Sequence, residues 1–322
     1  MSLEVLEANG LVTIQDIGRG GWQRFGVPLS GPMDAFAMRT ANVLVGNPQE
    51  EAVLEIGTAD ATFRALHDCV IAVTGAGFGV SVYIWEFTLW NSILVRGGWK
   101  IRLTKKDGGT WAYLAIAGGV QTQPVLGSRS TYLRGGFGGL HGKPLQAGGI
   151  IPTNRSSRSL QDLAARTLPE EFRPSYIETS TLDVILGPQT DCFTDKGIQT
   201  FLSNEYTISF SSDRMGYRLE GPSISHRGSA DLLSEGMARG SAQVPANGQP
   251  IVMQADCPTT GGYPKIASVI SADQPVLAQV PIGSGRIRFR ETSIEEAQTR
   301  YRNLMNGLQS GITRSDEKDV WS

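Results

Sequence analysis

Residues 24–32 read RFGVPLSGP and residues 214–222 read RMGYRLEGP, so both fit the pattern R-x-G-x-x-L-x-G-P. A second pair follows in the same order, because RGGWKIRL at 96–103 resembles IGSGRIRF at 282–289. The two pairs have nearly the same offset, which is far too long for a solenoid repeat. These matches predict an internal duplication, with one copy of a domain in each half of the chain.

The composition is that of a glycine-rich globular protein. The chain has 322 residues, including 39 glycines, and a net charge of −2. At about 150 residues per domain, two domains are expected. A near-neutral chain lacks the basic face typical of proteins that bind nucleic acids or membrane surfaces. We therefore expect many tight turns, no nucleic-acid partner and no membrane partner.

The cysteines and the N-terminal sequence indicate the compartment. Cys69, Cys192 and Cys257 are odd in number and show no C-x-x-C spacing, which fits neither a disulfide framework nor a zinc site. The opening residues MSLEVLEANG lack the basic and apolar regions of a signal peptide. These features predict a cytoplasmic protein with free thiols.

Short β-strands between turn signals account for most of the sequence. Their length and their Val, Ile, Tyr, Trp and Thr content favour a sandwich or barrel over alternating β-α units. The clearest predicted strands are 70–74, 79–89, 100–104, 111–117, 182–186, 206–211 and 251–254.

Helices are predicted at only three places. Ser293 and Glu296 form a capping box for a helix that runs to about Leu308. Asp34 is expected to cap a second helix, which ends at Val45 with Gly46 in the left-handed conformation. A third, weaker helix is predicted at 160–166. It falls in a polar, proline-bounded segment, so we expect domains at 1–155 and 177–322 joined by a linker at 156–176.

Familiar catalytic motifs are absent from the sequence. There is no phosphate-binding P-loop, no G-x-S-x-G elbow and no H-E-x-x-H motif. The three histidines are well separated, so no metal site is predicted. Four polar, glycine-rich loops are the better candidates, at 13–34, 127–142, 211–222 and 254–265. Taken singly, each also fits a purely structural turn. Together they hold more polar residues than turns require, and loops on a rigid β scaffold commonly carry function.

The first of these loops resembles a known family. The stretch TIQDIGRGGWQRFGVPLSGPMDAFAMRTANVLVGN at 13–47 is similar to the N-terminal signature of the biotin-dependent carboxyltransferase family, subdomains A and B, also called allophanate hydrolase subunit 2. Later blocks at 113–133, 211–222, 241–256 and 259–273 resemble the same family in order. The resemblance implies a mainly β chain with two cyclophilin-like β-barrel subdomains from an internal duplication, with a few helices.

The resemblance also implies a function. The family includes the C subunit of bacterial 5-oxoprolinase, and the chain shows no biotin carboxylase region, biotin attachment site or amidase signature. The resemblance therefore favours a subunit of a hydrolase that acts on a cyclic amide. That hydrolase opens 5-oxo-L-proline to L-glutamate and forms ADP and phosphate. The implied partners are the B subunit of 5-oxoprolinase, which holds the sister carboxyltransferase subdomains, and the A subunit. The implied cofactor is ATP with Mg in the complex.

Two alternatives stay open at this point. One is a biotin-dependent carboxyltransferase component of the urea carboxylase or allophanate type, for which biotin would be the cofactor. The other is a regulatory partner of a kinase inhibitor.

Residue chemistry suggests which side chains form the site. Arginines can stabilise charge that develops on a substrate, and carboxylates can orient a substrate or a metal bound to ATP. The catalytic candidates are Asp16, Arg19, Arg24, Asp34, Arg214 and Asp256. The substrate-binding candidates are Ser30, Gly31, Arg129, Ser130, Thr260, Gly261, Gly262, Tyr263 and Lys265.

Overall fold

Residues 2–314 are described by the structure, a computed structural model, and their contacts separate into two units. Of these residues, the first unit contains 2–19, Ser30–Arg173 and 305–314, and the second contains Gly20–Leu29 and Pro174–Leu304. The ends of the two expected domains, residue 1 and residues 315–322, lie outside the described residues.

Strands dominate both units, as the sequence predicts. Those up to residue 167 are β1 (Ser2–Ala8), β2 (Leu11–Gln15), β3 (Val53–Gly57), β4 (Ala61–Ala65), β5 (Cys69–Gly75), β6 (Phe78–Val82), β7 (Trp85–Phe87), β8 (Asn91–Val95), β9 (Lys100–Lys105), β10 (Trp111–Ile116), β11 (Ile150–Pro152) and β12 (Arg166–Thr167). The later ones are β13 (Thr179–Leu186), β14 (Glu205–Ile208), β15 (Gly216–Glu220), β16 (Glu235–Gly236), β17 (Ser241–Gln243), β18 (Ile251–Met253), β19 (Thr260–Gly261), β20 (Lys265–Val269), β21 (Arg286–Glu291) and β22 (Thr313–Arg314).

The α-helices of the described residues are fewer and mostly short. They are α1 (Ala35–Leu44), α2 (Leu160–Leu163), α3 (Asp195–Ser203), α4 (Gln274–Gln279) and α5 (Ile294–Ser310). Short 3-10 turns lie at Gln23–Phe25, Glu170–Phe172 and Thr190–Cys192.

Two sheets form the first unit. One has the order β11-β1-β4-β9-β6-β7, and the other has the order β2-β3-β10-β5-β8-β12-β22. A single apolar core joins them, since it includes Leu3 and Phe63 from the first sheet and Ile14, Ile71 and Leu114 from the second. The sheets therefore pack face to face and share one core.

Helix α1 explains why the second sheet is so apolar. Strands β3, β5, β8 and β10 are buried along their whole length, whereas β9 alternates between exposed and buried residues. Helix α1 packs on β10 and β5, so it covers the face of the sheet that the core leaves open. A strand covered on both faces has no polar side to expose.

The second unit contains a closed barrel with the order β13-β20-β17-β18-β15-β14-β21. The barrel closes through a parallel pair, in which Thr179 of β13 lies opposite Arg286 of β21. Its inner residues include Leu182, Tyr217 and Ile287, all of which are fully buried. The mainly β, barrel-containing fold is thus confirmed.

The predicted ends of α1 and the predicted start of α5 are confirmed, whereas the helix predicted at 160–166 ends at Leu163. The Asp34 side chain accepts a hydrogen bond from the Ala37 N–H, and Gly46 has a φ of +77° just after α1. The Glu296 N–H donates to Ser293 Oγ at the start of α5.

Sequence analysis did not predict α3 or α4. The strand predicted at 79–89 is instead a hairpin of two strands, β6 and β7.

Helix α5 is held by charge more than by its apolar stripe. Ile294 and Tyr301 of that stripe are exposed, whereas Leu308 is buried. The Arg300 guanidinium donates to the carboxylate of Asp183 and, at 2.6 Å, to that of Asp273. Both carboxylates are almost fully buried, so these ion pairs anchor the helix to the barrel.

The expected linker region has structure of its own. Residues Leu163 and Leu168 are fully buried, and Thr167 of β12 pairs with Asn91 of β8. The boundary between the two units falls between Arg173 and Pro174.

The two sequence matches differ in their structural outcome. The pair at 96–103 and 282–289 adopts the same structure, a glycine turn followed by an alternating strand, β9 or β21. The nonapeptide copies do not, because 214–222 contains β15 whereas 24–32 contains no strand. Pro28 stands where the second copy has Arg218, whose N–H donates to Ser212 Oγ, a bond that proline cannot make.

Candidate functional site

Asp16 organises the polar loops of the first unit. Its Oδ1 accepts hydrogen bonds from Ser128 Oγ at 2.5 Å and Ser130 Oγ at 2.7 Å. Its Oδ2 accepts from the Arg129 N–H at 2.5 Å, and the Gly18 N–H donates to Oδ1 at 2.9 Å. Four donors around one carboxylate make Asp16 a clamp for the loop at 128–130.

Arg19 lies beside this clamp and is only 1% exposed. Its Nη1 donates to Ser30 Oγ at 2.9 Å, and its Nη2 donates to the Ser130 carbonyl. The guanidinium also lies over the Phe137 ring, with Cζ 4.9 Å from the ring centroid. Arg19 therefore ties three segments of the first unit together.

The turn at Ser30 and Gly31 is set by its backbone. Both residues have positive φ, of +57° and +92°. A Cβ added at Gly31 would lie 3.2 Å from the Ile17 carbonyl, which is tight, and the positive φ would strain any other residue there. Gly31 is thus required by the turn that presents Ser30 to Arg19.

Asp34 continues into a second buried network. Its N–H donates to Tyr113 Oη at 2.6 Å, and Tyr113 Oη donates to Glu55 Oε2 at 2.9 Å. The Met33 N–H donates to the same Glu55 oxygen at 2.7 Å. Burial and the Glu55 charge hold the pKa of Tyr113 well above its usual value, so the phenol stays a donor.

A pocket of about 480 Å³ opens beside these loops in the first unit. Its polar lining comes from Gln121, Thr122, Gln123 and His141, and its apolar lining includes Phe137. The remaining lining residues are Val125, Gly136, Gly138, Gly139, Leu140, Gly142 and Pro152. Sequence analysis singled out the 127–142 loop but did not select Gln121, Thr122 or Gln123 as site residues, although they lie in the 113–133 block.

In the second unit, Arg214 and Asp256 form a buried ion pair. Arg214 Nε donates to Asp256 Oδ2 at 2.9 Å, and Nη2 donates to Oδ1 at 3.2 Å. Both side chains are under 10% exposed. The Asp256 N–H also donates to the Arg214 carbonyl, so side chains and backbones bind the two loops together.

Lys265 belongs to a neighbouring cluster of the second unit. Its Nζ lies 2.5 Å from Glu235 Oε1, which also accepts from Gln189 Nε2. The Lys265 side chain is 9% exposed and that of Glu235 is 43% exposed, so the pair lies at the barrel surface. Glu235 and Gln189 were missed by sequence analysis because no motif surrounds them.

The remaining predicted residues of this unit lie close to that cluster. Thr260 and Gly261 form β19, and Gly261 lies opposite Glu235 of β16. The Gly262 carbonyl accepts from the Leu232 N–H, and the Tyr263 carbonyl accepts from Gln243 Nε2. The Tyr263 ring is half-exposed, which leaves it available to a ligand.

Arg24 is placed differently from the other arginines. It lies in the 3-10 turn Gln23–Phe25, is exposed, and has its guanidinium over the Phe25 ring at 4.8 Å from the centroid. It therefore does not share the buried environment of Arg214, its counterpart in the nonapeptide pattern.

The chain matches the family model described as carboxyltransferase domain, subdomain A and B, over residues 25–291. The chain belongs to this family. It is 37% identical over 298 residues to the C subunit of 5-oxoprolinase from Escherichia coli K12, with 92% of this chain and 93% of that protein covered. It is 29% identical to urea amidolyase of Saccharomyces cerevisiae, covering 92% of this chain and 17% of that protein.

A solved structure of the same carboxyltransferase family has the same fold. The crystal structure of K. lactis urea amidolyase superposes with a TM-score of 0.88 at 28% identity. The match covers 95% of this chain and 20% of that protein. Nearly the whole chain thus corresponds to one part of a larger protein.

The carboxylates of this carboxyltransferase-domain chain do not fit a site for Mg and ATP. Asp16 is surrounded by loop donors, Asp34 caps α1, and Asp256 is paired with Arg214. Among residues 2–314, no group of three or more His, Cys, Asp or Glu side chains is arranged to hold a metal ion. We therefore assign no reaction step on this chain to Mg and ATP.

Within residues 2–314, no helix is long and apolar enough to cross a membrane.

The cysteines of the carboxyltransferase-domain chain should differ in reactivity. Burial raises the pKa of Cys69 to about 12 and that of Cys257 to about 11, whereas Cys192 is partly exposed. At pH 8 about one Cys257 thiol in a thousand is then ionised, and it is shielded as well. We expect iodoacetamide to label Cys192 first in the native protein and all three thiols in urea, as measured by mass spectrometry.

A Cys192→Ser variant serves as the control for this labelling, because it should remove the fast native reaction. Labelling of Cys257 as fast as that of Cys192 would contradict the expected burial and make Cys257 a candidate nucleophile.

Proposed function

We propose that this chain is a subunit of an ATP-dependent 5-oxoprolinase, which opens 5-oxo-L-proline to L-glutamate and forms ADP and phosphate. The proposal depends on how much of each relative this chain matches. The match spans 93% of the C subunit of 5-oxoprolinase but only 17% of urea amidolyase. The proposed complex lies in the cytoplasm and contains the B subunit, with the sister subdomains, and the A subunit.

The chemistry explains why such a reaction needs ATP and several subunits. A lactam is a poor electrophile, because the ring nitrogen donates into the carbonyl. Transfer of a phosphoryl group to the carbonyl oxygen would create a good leaving group. Water could then attack the activated carbon, and positive donors would stabilise the developing charge. Because Asp16, Asp34 and Asp256 are each engaged by groups of the protein, we propose that ATP with Mg binds elsewhere in the complex.

Positioning roles suit the charged candidates better than direct catalysis. Asp16, Arg19, Arg214 and Asp256 are all buried and all hold loops in place. Lys265 is buried as well and pairs with Glu235, and Arg129 is partly exposed, whereas Tyr263 is exposed. We propose that the charged residues build the site and that Tyr263 faces the substrate or the partner subunits.

The decisive experiment reconstitutes the complex. The chain is purified alone and with candidate B and A subunits, and glutamate release is measured with ATP and 5-oxoproline. We expect activity from the complete set and none when any subunit or ATP is omitted. No glutamate from the complete set, while a complex of the E. coli subunits prepared in the same way is active, would refute the proposal.

A biotin-dependent carboxyltransferase component is the second candidate. It is favoured by the superposition on K. lactis urea amidolyase, which covers 95% of this chain. In that case the complex should transfer a carboxyl group from a biotinylated carrier, for which biotin is the cofactor. Copurification of a biotinylated protein, detected with streptavidin, would support this candidate, and its absence together with glutamate release would exclude it.

A further inference from the structure

We propose that the pocket formed by residues 121–125, 136–142 and 152 of the first unit binds a small amide that carries a carboxylate. The choice of 5-oxoproline as the representative of this class rests on the proposed function. The volume, lining and hydrogen bonds of the pocket do not depend on that function. The pocket has a volume of about 480 Å³, which lies in the usual range for small-molecule sites.

The polar wall of the pocket is held in position from behind. Arg129 Nε donates to the Thr122 carbonyl at 2.9 Å, and Arg129 Nη2 donates to Gln121 Oε1 at 3.2 Å. Arg129 is itself fixed by Asp16, which accepts from its N–H. Since Arg129 engages the Gln121 oxygen, the orientation of the amide is set and its Nε2 is presented as a donor. A donor fixed in this way suits the carbonyl oxygen of an amide ligand.

A buried hydroxyl supports the same conclusion. Thr122 lines the pocket and is 8% exposed, and its Oγ1 has no hydrogen-bond partner among the described residues. An unpaired buried hydroxyl destabilises the folded protein, so most such groups have a partner. A ligand in the pocket with an N–H or a carbonyl group would supply one.

Charge around the pocket favours an anion. From residue 108 to residue 161 the sequence contains no Asp or Glu, whereas it contains five Arg and Lys residues, and every lining residue comes from this stretch. The acidic groups that contact Arg129 are those of Asp16 and, at 3.9 Å from Nη1, Glu51. None of the lining residues carries a carboxylate, so an anion bound in the pocket meets no acidic side chain in its wall.

The glycine loop that lines the pocket has a fixed backbone. Gly136, Gly138, Gly139 and Gly142 all have positive φ, and His141 has a φ of +60°. A Cβ at Gly138 or Gly139 would lie 2.0 Å from an atom of Ser130 or Thr131, so these glycines let the loop pack tightly against the 128–131 segment. The Arg19 guanidinium packed on the Phe137 ring supports the loop.

The test compares two buried threonines that lack hydroxyl partners within residues 2–314. Thr122→Val removes the pocket hydroxyl, and Thr153→Val removes another unpartnered buried hydroxyl that does not line the pocket. Binding of 5-oxoproline to the purified chain is measured by calorimetry, and Tm is measured in parallel. We expect Thr122→Val to weaken binding about three- to tenfold without lowering Tm. Thr153→Val should leave the affinity unchanged.

Two ligands and one further variant make the result decisive. 2-Pyrrolidinone has the lactam without the carboxylate and should bind more weakly than 5-oxoproline. Gln121→Met removes the oriented amide at a half-buried position and should also weaken binding, even if Thr122→Val folds poorly. Equal binding by wild type and both pocket variants, or no preference for the carboxylate, would overturn the inference.

The outcome also separates this inference from the proposed function. Glutamate release by the complete complex without saturable binding to this chain would refute the pocket assignment alone. Saturable, Thr122-dependent binding without glutamate release would support the pocket and refute the 5-oxoprolinase proposal.

Discussion

Replacing Arg214 with alanine is expected to lower the free energy of unfolding of the second unit by about 3–5 kcal/mol. The substitution leaves the Asp256 carboxylate buried without its bidentate partner, and both side chains are under 10% exposed in the native pair. A buried charge that loses its counter-ion bears the full cost of desolvation. Urea denaturation followed by tryptophan fluorescence and hydrogen exchange measures the loss and assigns it to a unit.

Arg218 provides the matched control for Arg214. It lies four residues further on, in β15, and its side chain is exposed. Arg218→Ala should change stability by no more than about 0.5 kcal/mol. The double variant Arg214→Met with Asp256→Leu should recover much of the loss, because it removes both charges together. A loss below about 1 kcal/mol for Arg214→Ala would contradict the buried pair and mean that it is hydrated in solution.

Replacing Asp16 with alanine should have the second largest effect, with a loss of about 3 kcal/mol or more in the first unit. Each hydrogen bond to a charged acceptor contributes about 1.5–3 kcal/mol, and this carboxylate accepts from Gly18, Ser128, Arg129 and Ser130. The contributions are not additive, since the loop can relax and admit water. Hydrogen exchange at the Arg129 amide reports the loss directly.

The control for Asp16 is Asp107→Ala, at an exposed position of the same unit. It should leave both stability and the Arg129 amide unchanged. Asp16→Asn keeps one acceptor oxygen and should restore part of the protection. If Asp16→Ala leaves amide exchange at Arg129 as slow as in the wild type, the carboxylate is not what holds the loop.

Most of the correct predictions depended on residues that are close together in the sequence. The Asp34 cap, the left-handed Gly46 and the Ser293 cap depend on residues close to one another in sequence, so they can be read directly from the chain. Most strands were found for the same reason. Helix α3 was missed although Thr194 caps it, because its mixed composition hides its apolar face.

The candidate site was only partly predictable, because its contacts join distant segments. The Asp16 carboxylate was recognised as part of a polar loop, yet three of its four partners lie more than 100 residues away, at 128–130. Nothing in the local sequence distinguishes an acid that faces a substrate from one that is surrounded by hydroxyls. The nonapeptide copies differ at a local feature instead, because Pro28 replaces Arg218 and proline is unfavourable inside a strand.

The parallel pair of β13 and β21 has a consequence for synthesis of the protein. Because β21 lies more than 100 residues after β13, the ribosome must translate most of the second unit before its barrel can close. Until then β13 has an unpaired edge, which is a template for intermolecular association. Nascent chains that stall before residue 286 should therefore depend on chaperones to stay soluble, whereas chains released after residue 291 should not.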